Sequence, residues 1–390
     1  MTTAPVRAHT ITITETDRIA EIDPALWDRL ANRASLYSAH AWLDYVEQYG
    51  DCTPCYLLVH QGDRTLGALP TYRFAGNIPR FYDPEFLVPG AEPGRPVLIA
   101  GTRQGYATEF LLDPDLDEPT RAAALLALLD RLRAEPAELT ALLYVPEDAL
   151  ALVRPHLAAQ DRTFLLDARA RLSVDPAGLA GYRAVVSDNT KARMRKEMRR
   201  FADAGCRAEV RSLSECHDQL GELSAQVLQR YGHPITAEGE AGRFAAQAAT
   251  LDDLCQVILA RQGNRIVGFT QFFGWNGVLF GRLHGLDDTM ARSAALYYNL
   301  TYYQAIEFAA AHGYTTIDLG CDSYEAKVRR GARLDLLWGL ALAPGWSAET
   351  ITALARAGCA RLDEFTSWDP GVHTAIARDL LGPPTTRMRS

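Results

Sequence analysis

The chain is short of several things at once, and each shortage narrows what it does. No apolar run approaches the ~18–20 residues of a membrane span. The opening MTTAPVRAHTITITETD has no apolar core of a secretory leader. Both observations predict a soluble, cytoplasmic protein with no membrane partner. The seven cysteines are odd in number and scattered, which fits reduced thiols better than a disulfide framework. Cys52 and Cys55 form one Cys-x-x-Cys, but it leads into a strand-like run instead of opening a helix that would lower a thiol pKa. No second cysteine pair completes a zinc site, His233 and the Cys216-His217 pair stand isolated, and no metal is expected. A Gly-x-Ser-x-Gly nucleophile elbow is missing as well.

What is present is 390 residues, 48% hydrophobic and 23% charged, enough for two domains with cores of their own. A formal net charge of −8 argues against blanket binding to nucleic acid or anionic membrane. One stretch runs the other way. SDNTKARMRKEMRRFADAG (Ser187–Gly205) holds Lys191, Arg193, Arg195, Lys196, Arg199 and Arg200 against Asp188 and Glu197 up to Arg200. Met194, Met198 and Phe201 fall at helical spacing and predict the buried face of a helix over Asn189–Ala204, stopped by Gly205. The cations read either as the solvated side of an amphipathic helix or as a phosphate-binding face.

The first half reads as mixed α/β. A strand is predicted at His9–Asp17, helices at Pro24–Arg33 and Ser38–Gly50 with Ser38 as a cap, and a hairpin over Cys55–Phe74 turning at Gln61 to Arg64. A Pro/Gly-rich segment from Ala75 to about Gly105 follows, with Phe81, Tyr82 and Phe86 in it; loops of that length are often binding loops. Then come a helix over Pro119–Arg133, a strand at Ala141–Pro146 and a helix near Asp148–Gln160. After a boundary near Leu165–Val174 and the basic helix, the pattern predicts a strand (Arg207–Ser212), helices near Ser214–Tyr231 and Glu238–Thr250, and three strands turning at Gly263-Asn264 and Asn276-Gly277. A long helix (Ala294–Ala311), strands at Thr315–Gly320 and Asp335–Leu342, and a helical tail with a frayed PPTTRMRS end complete the chain.

That order, together with SDNTKARMRKEMRRFADAG, ALYYNLTYYQAIEFAAAHGYTTIDLG and DSYEAKVRRGAR, resembles the acyltransferases of the GNAT superfamily. More narrowly it is similar to the tandem-GNAT proteins that include the Fem-type aminoacyl-tRNA-dependent transferases and the peptidoglycan/cellulose-biosynthesis acetyltransferase group. The likeness is strongest from about Tyr182 to Leu340. It implies a mixed-sheet α/β fold of two GNAT-like domains around an inter-domain cleft. The N-terminal domain would span 1–165, the C-terminal acyltransferase domain 166–345, and a helical tail over 346–390 would pack on the latter. It also implies an enzyme that moves an acyl group from a co-substrate, aminoacyl-tRNA or acyl-CoA, to an amine or hydroxyl of a small-molecule acceptor, with no tightly bound cofactor. CoA-using relatives carry a glycine loop before the long helix, whose N–H groups cradle pyrophosphate. Here DDTMARSAALYYN (Asp287–Asn299) has no glycine, which favours aminoacyl-tRNA and makes tRNA the expected partner. A catalytically silent relative that holds a nucleotide or RNA on the basic helix is the other reading.

The resemblance also assigns candidate roles. The splayed central strands would be Gly277–Gly285 and Thr315–Gly320. His284 would be a general base and Tyr297 a general acid at the leaving group, with Tyr298 beside it. Asp322, with Asp318 before it, would anchor or deprotonate an amine. Lys191, Arg195, Arg199, Arg292, Ser293 (as a helix cap), Asn299 and Lys327 would bind the donor. Trp275, Arg282, Tyr324, Phe81 and Tyr82 would line the acceptor pocket.

Overall fold

Strand β1 (Ile11–Thr16) pairs antiparallel with β2 (Thr53–Gln61), after helices α1 (Pro24–Leu30) and α2 (His40–Glu47). The computed structural model describes residues 10–48, 50–74, 78–83, 87–88, 97–230 and 232–382; Phe86, much of the Pro/Gly-rich segment and the PPTTRMRS end lie outside them. Asp23 caps α1 by accepting from the Ala25 N–H at 3.2 Å, with Pro24 at the first helical position, where a missing N–H costs nothing. Ser38 does not cap α2. The cap position is Ala39, and Ser38 is buried in the preceding turn with its hydroxyl near Glu109.

The described residues group into two units. The first takes those of Met1–Asp167, Leu336–Glu364 and His373–Ser390; the second takes Ala168–Asp335 and Phe365–Val372. In the first unit β2 turns at Gly62-Asp63 into β3 (Arg64–Phe74), with Gly62 at φ 61°, as the sequence predicts. There follow β4 (Val97–Ala100), β5 (Leu111–Leu112), α3 (Glu118–Arg133), β6 (Leu139–Pro146) and α4 (Glu147–Val153). β3 pairs with β4 and β5, and β4 runs parallel to β6. Asp117 caps α3 from the Thr120 N–H, and Leu125, Leu128, Leu129 and Leu132 form its buried stripe.

β7 (Arg162–Ser173) occupies the stretch expected as a boundary. Its alternation was present in the sequence: Ala168, Ala170 and Leu172 are buried, while Arg169 and Arg171 reach Asp335.

The second unit continues with α5 (Leu179–Val185), α6 (Asp188–Asp203), β8 (Cys206–Arg211), α7 (Gly221–Arg230) and α8 (Ala237–Leu251). Strands β9 (Cys255–Gln262), β10 (Arg265–Trp275) and β11 (Val278–Leu286) form an antiparallel meander with β8 at its edge. Asn276 and Gly277 both take positive φ in the β10–β11 turn, the conformation of a two-residue hairpin. Helix α9 has three segments: Leu296–Tyr298, a wider π turn over Asn299–Gln304, and Ala305–Ala311. β12 (Thr316–Asp318) lies parallel to β11 and antiparallel to β7. α10 (Tyr324–Val328) and β13 (Arg333–Leu342) follow.

β13 pairs with β6 through Leu337–Leu342, and this carries the tail into the first unit. The tail helices are α11 (Ala348–Trp368) and α12 (Ala375–Leu381). Arg361 of α11 donates to the Leu165 carbonyl at 3.0 Å. The expectation that all of 346–390 sits with the C-terminal domain is therefore met only by Phe365–Val372. There Phe365 and Trp368 pack on Tyr324, and Asp369 accepts from Arg333 and the Leu334 N–H. No helix of the described residues is long and apolar enough to cross a membrane.

Candidate acyl-transfer site

β11 pairs with β12 over three positions only, Val278–Phe280 against Thr316–Asp318, and then runs on to Leu286. Its pairing with β10 explains where the two part. The register slips between Gln271 and Phe272, so that Arg282 is an extra residue in β11. A bulge of this kind bends the strand and breaks its ladder locally. It falls just past the last β12 pair and leaves the β12-facing edge of Gly281–Leu286 open.

Past that edge the chain lines two neighbouring chambers. The larger, of about 530 Å³, is lined by Glu197, Arg200, Arg230, Arg292, Tyr298 and Tyr302 among others. The smaller, of about 370 Å³, is lined by Thr270, Arg282, Thr301, Cys321, Asp322 and others. His284, Tyr297, Ser323 and Lys327 line both. Gly285 lets α7 come down on β11 here. A Cβ at Gly285 would meet the Leu223 and Ser224 backbone at 2.7–2.8 Å, so α7 delivers Val227 and Arg230 to the larger chamber.

His284 is half-buried and lies edge-on to Tyr297, with ring centroids 5.0 Å apart. Burial, and then the charges of Arg230 and Lys327, lower its pKa to about 4, so the ring is neutral at pH 7. Lys327 is buried and donates to three carbonyls: Leu319 at 2.7 Å, Gly320 at 3.1 Å and Cys321 at 2.7 Å. Its charge holds the exit of β12 in shape. The next residues, Asp322 and Ser323, take left-handed φ of 65° and 52°. Such non-glycine strain persists only where the surroundings enforce it, and it clusters at functional sites.

α6 forms where the sequence places it, capped by Ser187 on the Thr190 N–H, with Met194 and Phe201 buried. Its inward charge is acidic. Glu197 receives Arg330 on both carboxylate oxygens at 3.1 and 2.9 Å, and Tyr303 donates to the same group. Arg330 also donates to the Tyr303 hydroxyl at 2.9 Å and stacks 3.5 Å over the Tyr298 ring. Burial disfavours the Arg330 charge, but Glu197 outweighs it and holds the guanidinium protonated. The π turn of α9 thus presents Tyr303 to α6 while Tyr298 and Tyr302 face the larger chamber.

Of the predicted donor residues, Arg292 and Lys327 line the larger chamber, whereas Lys191, Arg195 and Arg199 do not. Lys191 pairs with Asp188 at 3.0 Å, and Arg195 and Arg199 point to solvent. Ser293 is not the cap of α9. That position is Ala295 in a left-handed conformation, φ 50°, and the Ser293 hydroxyl donates to the Met290 carbonyl. Asn299 is buried and donates to the Glu197 and Ala295 carbonyls. Of the acceptor candidates, Arg282 lines the smaller chamber. Trp275 sits at the opposite end of β11 from His284, paired with Val278. Tyr324 is buried, its hydroxyl on the Ala168 carbonyl. Phe81 and Tyr82 belong to the first unit, where Tyr82 bonds the Gly105 carbonyl. Asp318 is buried and accepts from the Gly320 N–H.

Glu197, Arg200, Arg230 and Tyr302 are lining residues that sequence reading missed. Glu197 carried a signal, as the lone acid inside the basic run beside Met194 and Phe201. The seven cysteines are free thiols, and burial followed by Glu47 pushes Cys52 up to about 12. Among the described residues no group of His, Cys, Asp and Glu side chains is placed to hold a metal ion.

Among curated proteins none matches this sequence significantly. Solved structures do match in fold. FemX is 11% identical, with a TM-score of 0.56, over 84% of this chain and 96% of its own. The C-terminal domain of an Agrobacterium fabrum protein named as a lysylphosphatidylglycerol synthetase is 14% identical, with a TM-score of 0.54, over 87% of this chain and 96% of its own. L-PGS from Bacillus licheniformis is 13% identical, with a TM-score of 0.51, over 86% and 96%. The FemAB-like family, described as peptidoglycan biosynthesis/recognition, matches residues 122–341, more than half of the sequence. That match over more than half of the sequence places the chain in the FemAB-like family, and its fold is similar to that of FemX.

Proposed function

We propose that this protein is an acyltransferase and that it moves an aminoacyl group from aminoacyl-tRNA to an amine or hydroxyl of a small-molecule acceptor. The supporting observation is the source of positive charge in the larger chamber. It comes from the side chains of Arg200, Arg230 and Arg292, set around a turn with no glycine to bring backbone N–H groups onto a pyrophosphate. Arg200 and Arg292 are exposed and have no side-chain partner among the described residues. Tyr297, Tyr298 and Tyr302 add aromatic surface on which a terminal adenine stacks, a contact of about 1–3 kcal/mol per base.

In the step itself the acceptor nitrogen or oxygen attacks the ester carbonyl carbon, and the bond from that carbon to the ribose oxygen breaks. Neutral His284 takes the proton of the attacking group, and the Tyr297 hydroxyl gives one to the departing ribose oxygen. The imidazolium then returns its proton to the neighbouring phenolate, so both groups are restored. N–H groups on the open β11 edge stabilise the oxyanion.

The test is titration of the full chain with bulk aminoacylated tRNA, and separately with acetyl-CoA, across a salt series. Expected is tRNA binding that weakens steeply with salt, and an Arg200→Ala/Arg292→Ala variant whose salt slope is shallower by about two phosphate contacts. Saturable acetyl-CoA binding with no tRNA signal would overturn the donor assignment and make the enzyme CoA-dependent.

A further inference from the structure

The cations of α6 fall on two flanks of the helix, and only one flank meets the larger chamber. Arg193, Lys196 and Arg200 stand three and four positions apart, so they form one row along the axis. Glu197 lies on the inner edge of that row, four positions from Arg193 and three from Arg200, and both Glu197 and Arg200 line the larger chamber. Lys191, Arg195 and Arg199, at steps of four, form the other row. Arg193, Lys196 and Arg200 are exposed and have no side-chain partner among the described residues. The acids of the helix do not neutralise them. Asp188 pairs with Lys191, Glu197 accepts from Arg330 and Tyr303, and Asp203 forms no ion pair among the described residues. Like charges at this spacing repel, and the repulsion is relieved when anions lie against the row.

We propose that the Arg193–Lys196–Arg200 row is a track for the phosphates of the single RNA strand that carries the aminoacyl group. The inference rests on the aminoacyl-tRNA reading and deepens it. The terminal base stacks in the larger chamber, and the strand leaves past Arg200 toward Lys196 and Arg193. Arg193 and Arg200 are seven positions apart, about 10 Å along the axis, and a nucleic-acid strand places about three phosphates in that length. The row thus offers one cation per phosphate. A charged track that ends at an aromatic platform holds single strands without reading bases, and Tyr297, Tyr298 and Tyr302 supply that platform. An anionic membrane fits the row less well. Membrane-surface helices expose an apolar face beside their cations, whereas Met194 and Phe201 are buried in the protein.

Binding of the full chain is measured across a salt series by fluorescence anisotropy, with 5′-labelled bulk tRNA and the same tRNA trimmed of its 3′ single strand. Co-sedimentation with vesicles of phosphatidylglycerol in phosphatidylcholine runs alongside. For intact tRNA, Arg193→Ala/Lys196→Ala should flatten the slope of log affinity against log salt by about 1.4, two single-strand phosphate contacts at ~0.7 each. Arg195→Ala/Arg199→Ala, on the other row, should leave the slope unchanged. On trimmed tRNA the Arg193→Ala/Lys196→Ala slope should match that of the wild type, because the phosphates those residues meet are gone. The track is overturned, with the donor reading intact, if the wild type binds tRNA and both pairs of substitutions flatten its slope equally. It is overturned in the same way if the Arg193→Ala/Lys196→Ala effect persists on trimmed tRNA. Vesicle binding lost in that variant, with an unchanged tRNA slope, would assign the row to a membrane instead. Absence of any tRNA binding by the wild type overturns the donor reading and the track together.

Discussion

At the residue scale His284 carries the most testable chemistry. Its pKa of about 4 keeps it neutral through the whole physiological range. The acid limb of kcat/KM, which reports the free enzyme, is therefore expected near pH 4 instead of near 6.5. Two of the three causes of the shift are the cations Arg230 and Lys327. Donor phosphates beside them offset that charge, so the acid limb of kcat should lie at higher pH than that of kcat/KM. His284→Gln should lower kcat by about 10²–10⁴-fold and abolish the limb. A limb that survives the substitution would assign the titration to another group. His284, Arg282, Asp322, Arg292 and Lys327 were named from the sequence, and each of them lines one of the two chambers. Their partners were not legible in the sequence. Nothing local to Lys327 announces that it faces the carbonyls of Leu319, Gly320 and Cys321.

At the element scale the basic helix α6 was legible in extent and in its stop at Gly205, yet neither its Ser187 cap nor its contribution to the chamber was. Counting charge pointed to Lys191, Arg195 and Arg199. Packing selected Glu197 and Arg200, because the turn that buries Met194 and Phe201 also brings those two toward α9. The Glu197–Arg330 pair ties α6 to the π turn, and it is nearly out of solvent on both sides. Glu197→Gln leaves a buried guanidinium without its counter-charge and should cost about 3–5 kcal/mol in urea unfolding. The double variant Glu197→Met/Arg330→Met should recover most of that loss, because a well-packed apolar pair avoids desolvating two ions. If the double variant is as unstable as the single one, the pair stabilises by more than charge compensation.

At the scale of the whole molecule the tail is the feature that sequence order misassigns. Most of it belongs with the first unit, but Phe365–Val372 supports the second. Phe365 and Trp368 back Tyr324 at the start of α10, the helix that bears Lys327, and Asp369 holds the start of β13. Phe365→Ala should destabilise by about 3–5 kcal/mol, read as a lowered Tm. The loosened α10 should also raise KM for the acceptor more than KM for the donor. Equal rises in both constants would mean that the tail supports the unit as a whole and not the Asp322 side of the site.

The turns at Gly62 and Asn276-Gly277, the extent of α6 and the run of β9, β10 and β11 into α9 follow from the sequence alone. Each rests on interactions between residues a few positions apart, where side-chain period and backbone preference decide. The tertiary structure alone decided which charges meet. The Glu197–Arg330 pair, the Lys327 clamp and the two chambers join residues from separate elements. The bulge that opens β11 is a property of its register with β10, set by which side chains reach the core together, and no single strand encodes it.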